Sequence, residues 1–350
     1  MTDRPGAEVL VRNLEAQGVK HIFGIPGAKI DRVYEALNGS KIELVVCRHE
    51  QNAAFIAGGL GRLTGKAGVC LVTSGPGVTN LATGLATATS EGMPLVALGG
   101  SVPLADRLKL VHQSLDNAGL MRAVSKYSVE IASGGAIGEV VANAFRAAEG
   151  GRPGAAFISL PQDVMVGAAP DRVLTPAAPP KSGAGDPAAI AEAAAAIDGA
   201  KLPVLLLGML ASRPEAAAAA RALLSRHALP TVCTYQGAGV VPQALLDCFG
   251  GRVGLFHNQP GDRLLDAADV VVAVGFDPIE YDPSLWNGGA GRTIVHIDAM
   301  PADFDTCYRP AIELVGDIAA NVAALAERLK PGGRATDIPL LGHVRRELEE

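Results

Sequence analysis

Nine short apolar runs constrain the fold of this chain more than any other feature. HIFGI, IELVVC, AGVCLVT, PLVALGG and AAFISLP follow one another in the first half, and PVLLLG, PTVCTY, DVVVAVG and RTIVHID in the second. Each is nearly continuously apolar rather than alternating, as expected for strands of a parallel sheet covered on both faces. Helical periodicity falls between them, near residues 6–17, 30–38, 50–64, 77–90 and 135–149, and again near 187–199, 214–227, 261–268 and 317–330. Such alternation predicts α/β, doubly wound architecture. The chain has 350 residues; at ~150 residues per domain that is about two domains. VGAAPDRVLTPAAPPKSGAGD, residues 166–186, is rich in Pro, Gly and Ala and reads as a linker. Two tandem doubly wound domains, 1–165 and 187–335, are therefore expected. The polar ending, 336–350, reads as the start of a further linker.

Composition narrows the function. Hydrophobic residues make up 49% and charged residues 19%, so the chain can bury a sizeable core. A net charge of −6 without a basic block argues against nucleic acid as a partner. The longest strongly apolar run, LPVLLLGMLA, is too short to cross a membrane. The five cysteines form no C-x-x-C pair, and Cys47, Cys70 and Cys233 lie in strand-like runs, where thiols act as small hydrophobes. MTDRPGAEVL carries no signal-peptide pattern, so a reducing cytoplasm is expected.

Several motifs fail on inspection. HEQNA has Ala53 where a zinc-protease helix needs its second His. GKA has Leu60 and Ala67 where a phosphate loop needs Gly and Ser or Thr. The glycines of GGLGRLTG are too widely spaced for G-x-G-x-x-G and sit inside a helical pattern, where close packing explains them. No G-x-S-x-G occurs.

Four segments hold, and all follow strand-like runs. Glu50 opens the apolar helical stretch that continues as AAFIAGGLG, which should be buried on most sides. A carboxylate there either complements the helix dipole or handles protons. LVTSGPGVTNLATGLATA places Thr73-Ser74-Gly75-Pro76-Gly77 between a strand and a helix. That is either an ordinary βα turn or a place where backbone approaches a ligand. Gly24-Ile25-Pro26-Gly27-Ala28-Lys29 is a second Gly/Pro turn, and Val111-His112-Gln113-Ser114 a polar loop. Ligands of open α/β sheets bind beyond the carboxyl ends of strands, where all four fall.

Together FGIPGAKID, RHEQNAAFIAGGLGRLTGKAGVCLVTSGPGVTNL, VHQS, GRPGAAFISLPQD and GRVGLFHNQPGDRLL resemble the thiamine-diphosphate enzymes, and more narrowly acetolactate synthases of the catabolic, acetoin-forming type. The resemblance covers nearly the whole chain and implies a pyrimidine-binding domain followed by a Rossmann-like central domain. It implies that Glu50 hydrogen-bonds the cofactor's aminopyrimidine and promotes the tautomer that removes the thiazolium C2 proton. It places Pro26 and Gly27 against the cofactor ring, and Thr73, Gly75 and Asn80 around the pyrimidine. Gln113 would face the reacting carbonyl, and Lys29 would attract the carboxylate of pyruvate, although a surface lysine serves equally well there. The cofactors implied are thiamine diphosphate and Mg²⁺, without a requirement for FAD. The implied partner is a second copy of the chain, in a dimer or tetramer with the active site between subunits.

The same family holds the diphosphate and Mg²⁺ in a third domain through a G-D-G motif. This chain has GDI at 316–318 and GDR at 261–263 but no GDG, so no metal ligand is assigned. The expectation is a truncated product, a fragment or one part of a split enzyme. Three alternatives remain: a different 2-oxoacid decarboxylase or carboligase, a catalytically incomplete scaffolding subunit, and a nucleotide-binding module in the second domain.

Overall fold

A computed structural model describes residues 3–176, 182–289, 291–330 and 338–349. The chain divides into two compact units, 1–179 and 180–350, a division inside the 166–186 stretch. Residues 177–181 of that stretch, and 336–337 and 350 of the second expected linker, lie outside the described residues.

The first unit contains β1 (Asp3–Pro5), β2 (His21–Gly24), β3 (Glu43–Val46), β4 (Gly68–Val72), β5 (Leu95–Ser101), β6 (Tyr127–Glu130), β7 (Ala155–Pro161) and β8 (Ala168–Pro170). Six of these form one sheet in the order β3-β2-β4-β5-β7-β6, with every pairing parallel. The unbroken apolar runs have a direct cause. Successive residues of a strand point to opposite faces, and here both faces are covered. Val69, Leu71, Val96, Leu98 and Ile158 pack with Leu10, Leu14, Val141 and Phe145 on one side. Cys70, Val72, Leu95, Ala97 and Phe157 pack with Ala53, Ala54, Ala57 and Leu85 on the other.

Three features depart from expectation. Edge strand β6 is only half-buried, and its sequence, YSVE, lacks an apolar run. Residues 168–170, expected as linker, pair antiparallel with β1 and stay with the first unit, where Asp171 meets Arg4 at 2.6 Å and Arg12 at 3.0 Å. The helix expected over 77–90 is two, Pro76–Thr79 and Ala82–Ser90, parted at Asn80 and Leu81.

The second unit contains β9 (Pro203–Leu207), β10 (Thr231–Cys233), β11 (Phe249–Arg252), β12 (Val270–Val274), β13 (Thr293–Asp298) and β14 (Ile312–Val315). They form a second all-parallel sheet, ordered β11-β10-β9-β12-β13-β14. One expectation is corrected here. Residues 339–349 are not linker but a helix of this unit. Leu341 and Val344 are fully buried, and Leu348 lies against Gly251 of edge strand β11. Arg263–Glu347 at 2.7 Å and Arg345–Asp247 at 2.9 Å flank it. The three apolar residues share one helical face, which the charges around them obscure in the sequence.

Candidate active site

Each sheet has a point where the strand order reverses. In the first unit it lies between β2 and β4, because the chain steps outward from β2 to β3 and then crosses to the other side. Crevices open at such points beyond the strand ends. The turn after β2 carries Pro26, Gly27 and Lys29, the turn after β3 leads to Glu50, the turn after β4 is 73–77, and the loop after β5 carries Gln113.

Glu50 is the first residue of the helix Glu50–Thr64, whose preceding His49 accepts the Gln51 amide through Nδ1 at 3.1 Å. The Glu50 side chain is half-buried. Asn80 Nδ2 donates to its Oε2 at 2.9 Å, which gives the break between the two short helices a local purpose. Among the described residues, Oε1 takes no hydrogen bond and remains available to a ligand.

The glycines beside this carboxylate lie too close to neighbouring side chains to carry one of their own. A Cβ on Gly77 would stand 3.6 Å from Glu50 Oε1 and 3.0 Å from Thr73 Cγ2. A Cβ on Gly27 would meet Thr73 Cβ at 2.5 Å. Gly75 is left-handed, with φ 58°, and a Cβ there would meet Gln113 Cβ at 2.9 Å. Gln113 is itself left-handed, with φ 64°, and the buried Ser74 donates its hydroxyl to Gln113 Oε1 at 2.9 Å. Glu50 and Gln113 therefore adjoin one five-residue turn, Glu50 beside Gly77 and Gln113 at Ser74 and Gly75. Lys29 Nζ donates to Gln162 Oε1 at 3.3 Å, and Pro26 is exposed.

Ser74 and Gln162 were not singled out from the sequence. Ser74 sits inside the 73–77 motif, but its partner is far along the chain. Gln162 lies in the matched stretch GRPGAAFISLPQD, with no signal of its own. The expectation for the Glu50 helix was wrong in one respect. Ala53, Ala54, Ala57, Gly58 and Gly61 are buried, but Phe55, Ile56 and Leu63 are exposed, so the helix is covered on one face only.

The chemistry of this donor set suits an aminopyrimidine: a carboxylate with a free oxygen beside a tightly packed Gly-rich turn that also holds an amide side chain. Among the described residues, no group of three or more His, Cys, Asp or Glu could hold a metal ion. None of the described helices is long and apolar enough to cross a membrane.

Comparison with known proteins identifies the family of both units. The family "Thiamine pyrophosphate enzyme, N-terminal TPP binding domain" matches residues 4–120, and "Thiamine pyrophosphate enzyme, central domain" matches 190–325, each within one unit. The chain belongs to the thiamine pyrophosphate enzyme family. Within that family it is 55% identical to the acetolactate synthase of Bacillus subtilis (strain 168) over 317 residues, 91% of this chain and 56% of that one. It is 53% identical to the catabolic acetolactate synthase of Raoultella terrigena over 329 residues, 93% of this chain and 58% of that one. The large subunit of acetolactate synthase isozyme 2 of Escherichia coli (strain K12) is 33% identical over 335 residues, 93% of this chain and 59% of that one. The chain thus spans under two thirds of the length of these relatives.

Proposed function

We propose that this chain serves acetolactate synthesis, the joining of two pyruvate molecules into 2-acetolactate with loss of carbon dioxide. The carrying observation is the placement of Glu50, with one carboxylate oxygen held by Asn80 and the other free beside Gly77, at a turn shared with Gln113. Thiamine diphosphate, when bound, supplies a nucleophilic carbon for a keto group and an electron sink for the loss of carbon dioxide.

The chain's own residues do the rest. Glu50 Oε1 would hold or exchange a proton at a pyrimidine ring nitrogen, and Asn80 fixes the carboxylate through Oε2. Gly27, Thr73, Gly75 and Gly77, with Pro26 at the rim, pack closely enough to bring backbone and Thr73 up to a bound ring. Ser74 engages Gln113 Oε1, so the Gln113 Nε2 hydrogens are left for the oxygen of the reacting carbonyl. Lys29 lies in the same cluster and attracts the pyruvate carboxylate. No residue of this chain is assigned to Mg²⁺.

A second copy of the chain covers the exposed apolar residues of the Glu50 helix, Phe55, Ile56 and Leu63. All five cysteines are free thiols, which suits a reducing cytoplasm. In this reading the second unit needs no FAD; its Glu280 engages the Met209 and Asp277 amides beyond the strand ends.

The test is to incubate the chain with pyruvate, thiamine diphosphate and Mg²⁺ and to assay acetolactate, alone and with a separately made diphosphate-binding domain. Acetolactate in either case supports the reading. Its absence from both moves the weight to a scaffolding subunit, and release of a different carboligation product to another 2-oxoacid enzyme.

A further inference from the structure

The loop after β5 carries Gln113, and its attachments are few. At its start the Leu104 amide donates to both oxygens of Asp163, at 3.1 Å each. Near its end Ser74 holds Gln113. Between these points the loop bonds mainly to itself: Lys109 N to Asp106 O at 3.0 Å, Val111 N to Lys109 O at 2.9 Å, and Lys109 Nζ to Asp106 Oδ1 at 2.6 Å. Leu108 and Leu110 touch almost nothing, with exposures of 102% and 108%.

Arg107 is the exception. Its guanidinium pairs with the carboxylate of Glu130, the last residue of β6. The Glu130 side chain is only 9% exposed. Its other oxygen accepts the hydroxyl of the buried Ser159, its register partner on β7, at 3.0 Å. Among the described residues this is the one ion pair between 105–112 and the body of the unit. Withdrawing a carboxylate from water is costly unless it is paired. A charge on an edge strand also discourages pairing with other chains, but that role needs no partner on a site loop. Gln113 meanwhile keeps a left-handed backbone, and such strain persists only where the surroundings enforce it.

We infer that Ser159, Glu130 and Arg107 form a clamp that positions Gln113 over the 73–77 turn. The inference rests on the role proposed above for Gln113. Arg107 and Glu130 are positioning residues, since neither is placed at the reacting atoms. Removing the clamp lets the loop open and withdraws the amide from the second, bond-forming half of the reaction. Proton transfer at Glu50 continues.

Two readouts test this in Arg107→Met, Glu130→Gln and Arg107→Lys. The first needs no activity: thermolysin nicking before Leu110, a site the substitutions leave unchanged, in the 350-residue chain, with the melting transition as a check on folding. Nicking should be about tenfold faster in Arg107→Met, less so in Glu130→Gln, and partly restored in Arg107→Lys. An unchanged rate in Arg107→Met overturns the clamp. The second is the ratio of acetolactate formed to carbon dioxide released in the active preparation. Arg107→Met should lower it several-fold while exchange of the cofactor's C2 proton stays at the wild-type rate. A wild-type ratio in a variant with a loosened loop overturns the link to Gln113. Faster nicking in a protein that makes no acetolactate even as wild type would count against the proposed function and leave the clamp standing.

Discussion

Each unit places a glutamate beyond the carboxyl ends of its parallel strands, and the two glutamates are held in opposite ways. In the first, Glu50 stands beyond the ends of β2, β3 and β4 with one donor, Asn80, and one free oxygen. In the second, Glu280 stands beyond the ends of β9, β10 and β12 with every oxygen engaged. Its Oε1 accepts the Met209 and Asp277 amides, both at 3.0 Å, and its Oε2 accepts the Thr234 hydroxyl at 2.5 Å. Burial pushes the Glu280 carboxyl above the usual range, although the hydrogen bonds act in the other direction. One carboxylate has a free oxygen, which the proposed function gives to a ligand. The other closes the amides that, in an open α/β sheet, would meet one.

That contrast can be broken most sharply at Glu50. Glu50→Gln should slow exchange of the C2 proton of bound thiamine diphosphate on the order of 10²–10⁴-fold while the fold survives. Exchange at the wild-type rate would remove Glu50 from proton transfer and make the two glutamates equivalent.

Stability should run the other way. Glu280→Ala leaves the Met209 and Asp277 amides without their acceptor, so the second unit should lose ~1–3 kcal/mol in denaturant unfolding. Glu50→Ala gives up a single half-exposed hydrogen bond and should cost ~0.5–1.5 kcal/mol at most. Equal losses at the two positions would erase the distinction.

Acidity sharpens the comparison further. A folded-state pKa above the ordinary glutamate value of 4.5 means that protonation favours the fold. The stability Glu280 contributes is therefore present in full below that value and is lost as pH rises through the folded one. Relative to Glu280→Gln, the wild type should become less stable between pH 4 and pH 7, and a flat or opposite trend in paired melts would refute the assignment. The smallest effect is expected at Asn80. Asn80→Ala should reduce cofactor C2 exchange about tenfold, the value of one fixed hydrogen bond, with the melting transition nearly unmoved.

The legibility of these features differed for physical reasons. Strands such as GVCLV and VVVAV were readable because both of their faces are buried, which leaves one unbroken apolar run. YSVE at an edge, with every residue half-buried, leaves no such trace. The helix Pro339–Glu349 was missed because a narrow stripe of Leu341, Val344 and Leu348 is diluted by His343, Arg345, Arg346 and Glu347. Glu50 was legible from its position between a strand and an apolar helix. Glu280 was not, because its three partners lie after three different strands.

The sequence alone determined the class of fold, the helix start at Glu50 and the Gly-rich turn at 73–77, since each depends on residues adjacent in the chain. Tertiary structure decided which oxygen of Glu50 is free, that Gln113 leans on Ser74, and that Arg107 reaches Glu130. Those contacts join residues 23 to 39 positions apart (Arg107–Glu130, Glu50–Asn80 and Ser74–Gln113). Only the parallel order of the strands brings their carboxyl ends, and hence these side chains, to one edge of the sheet.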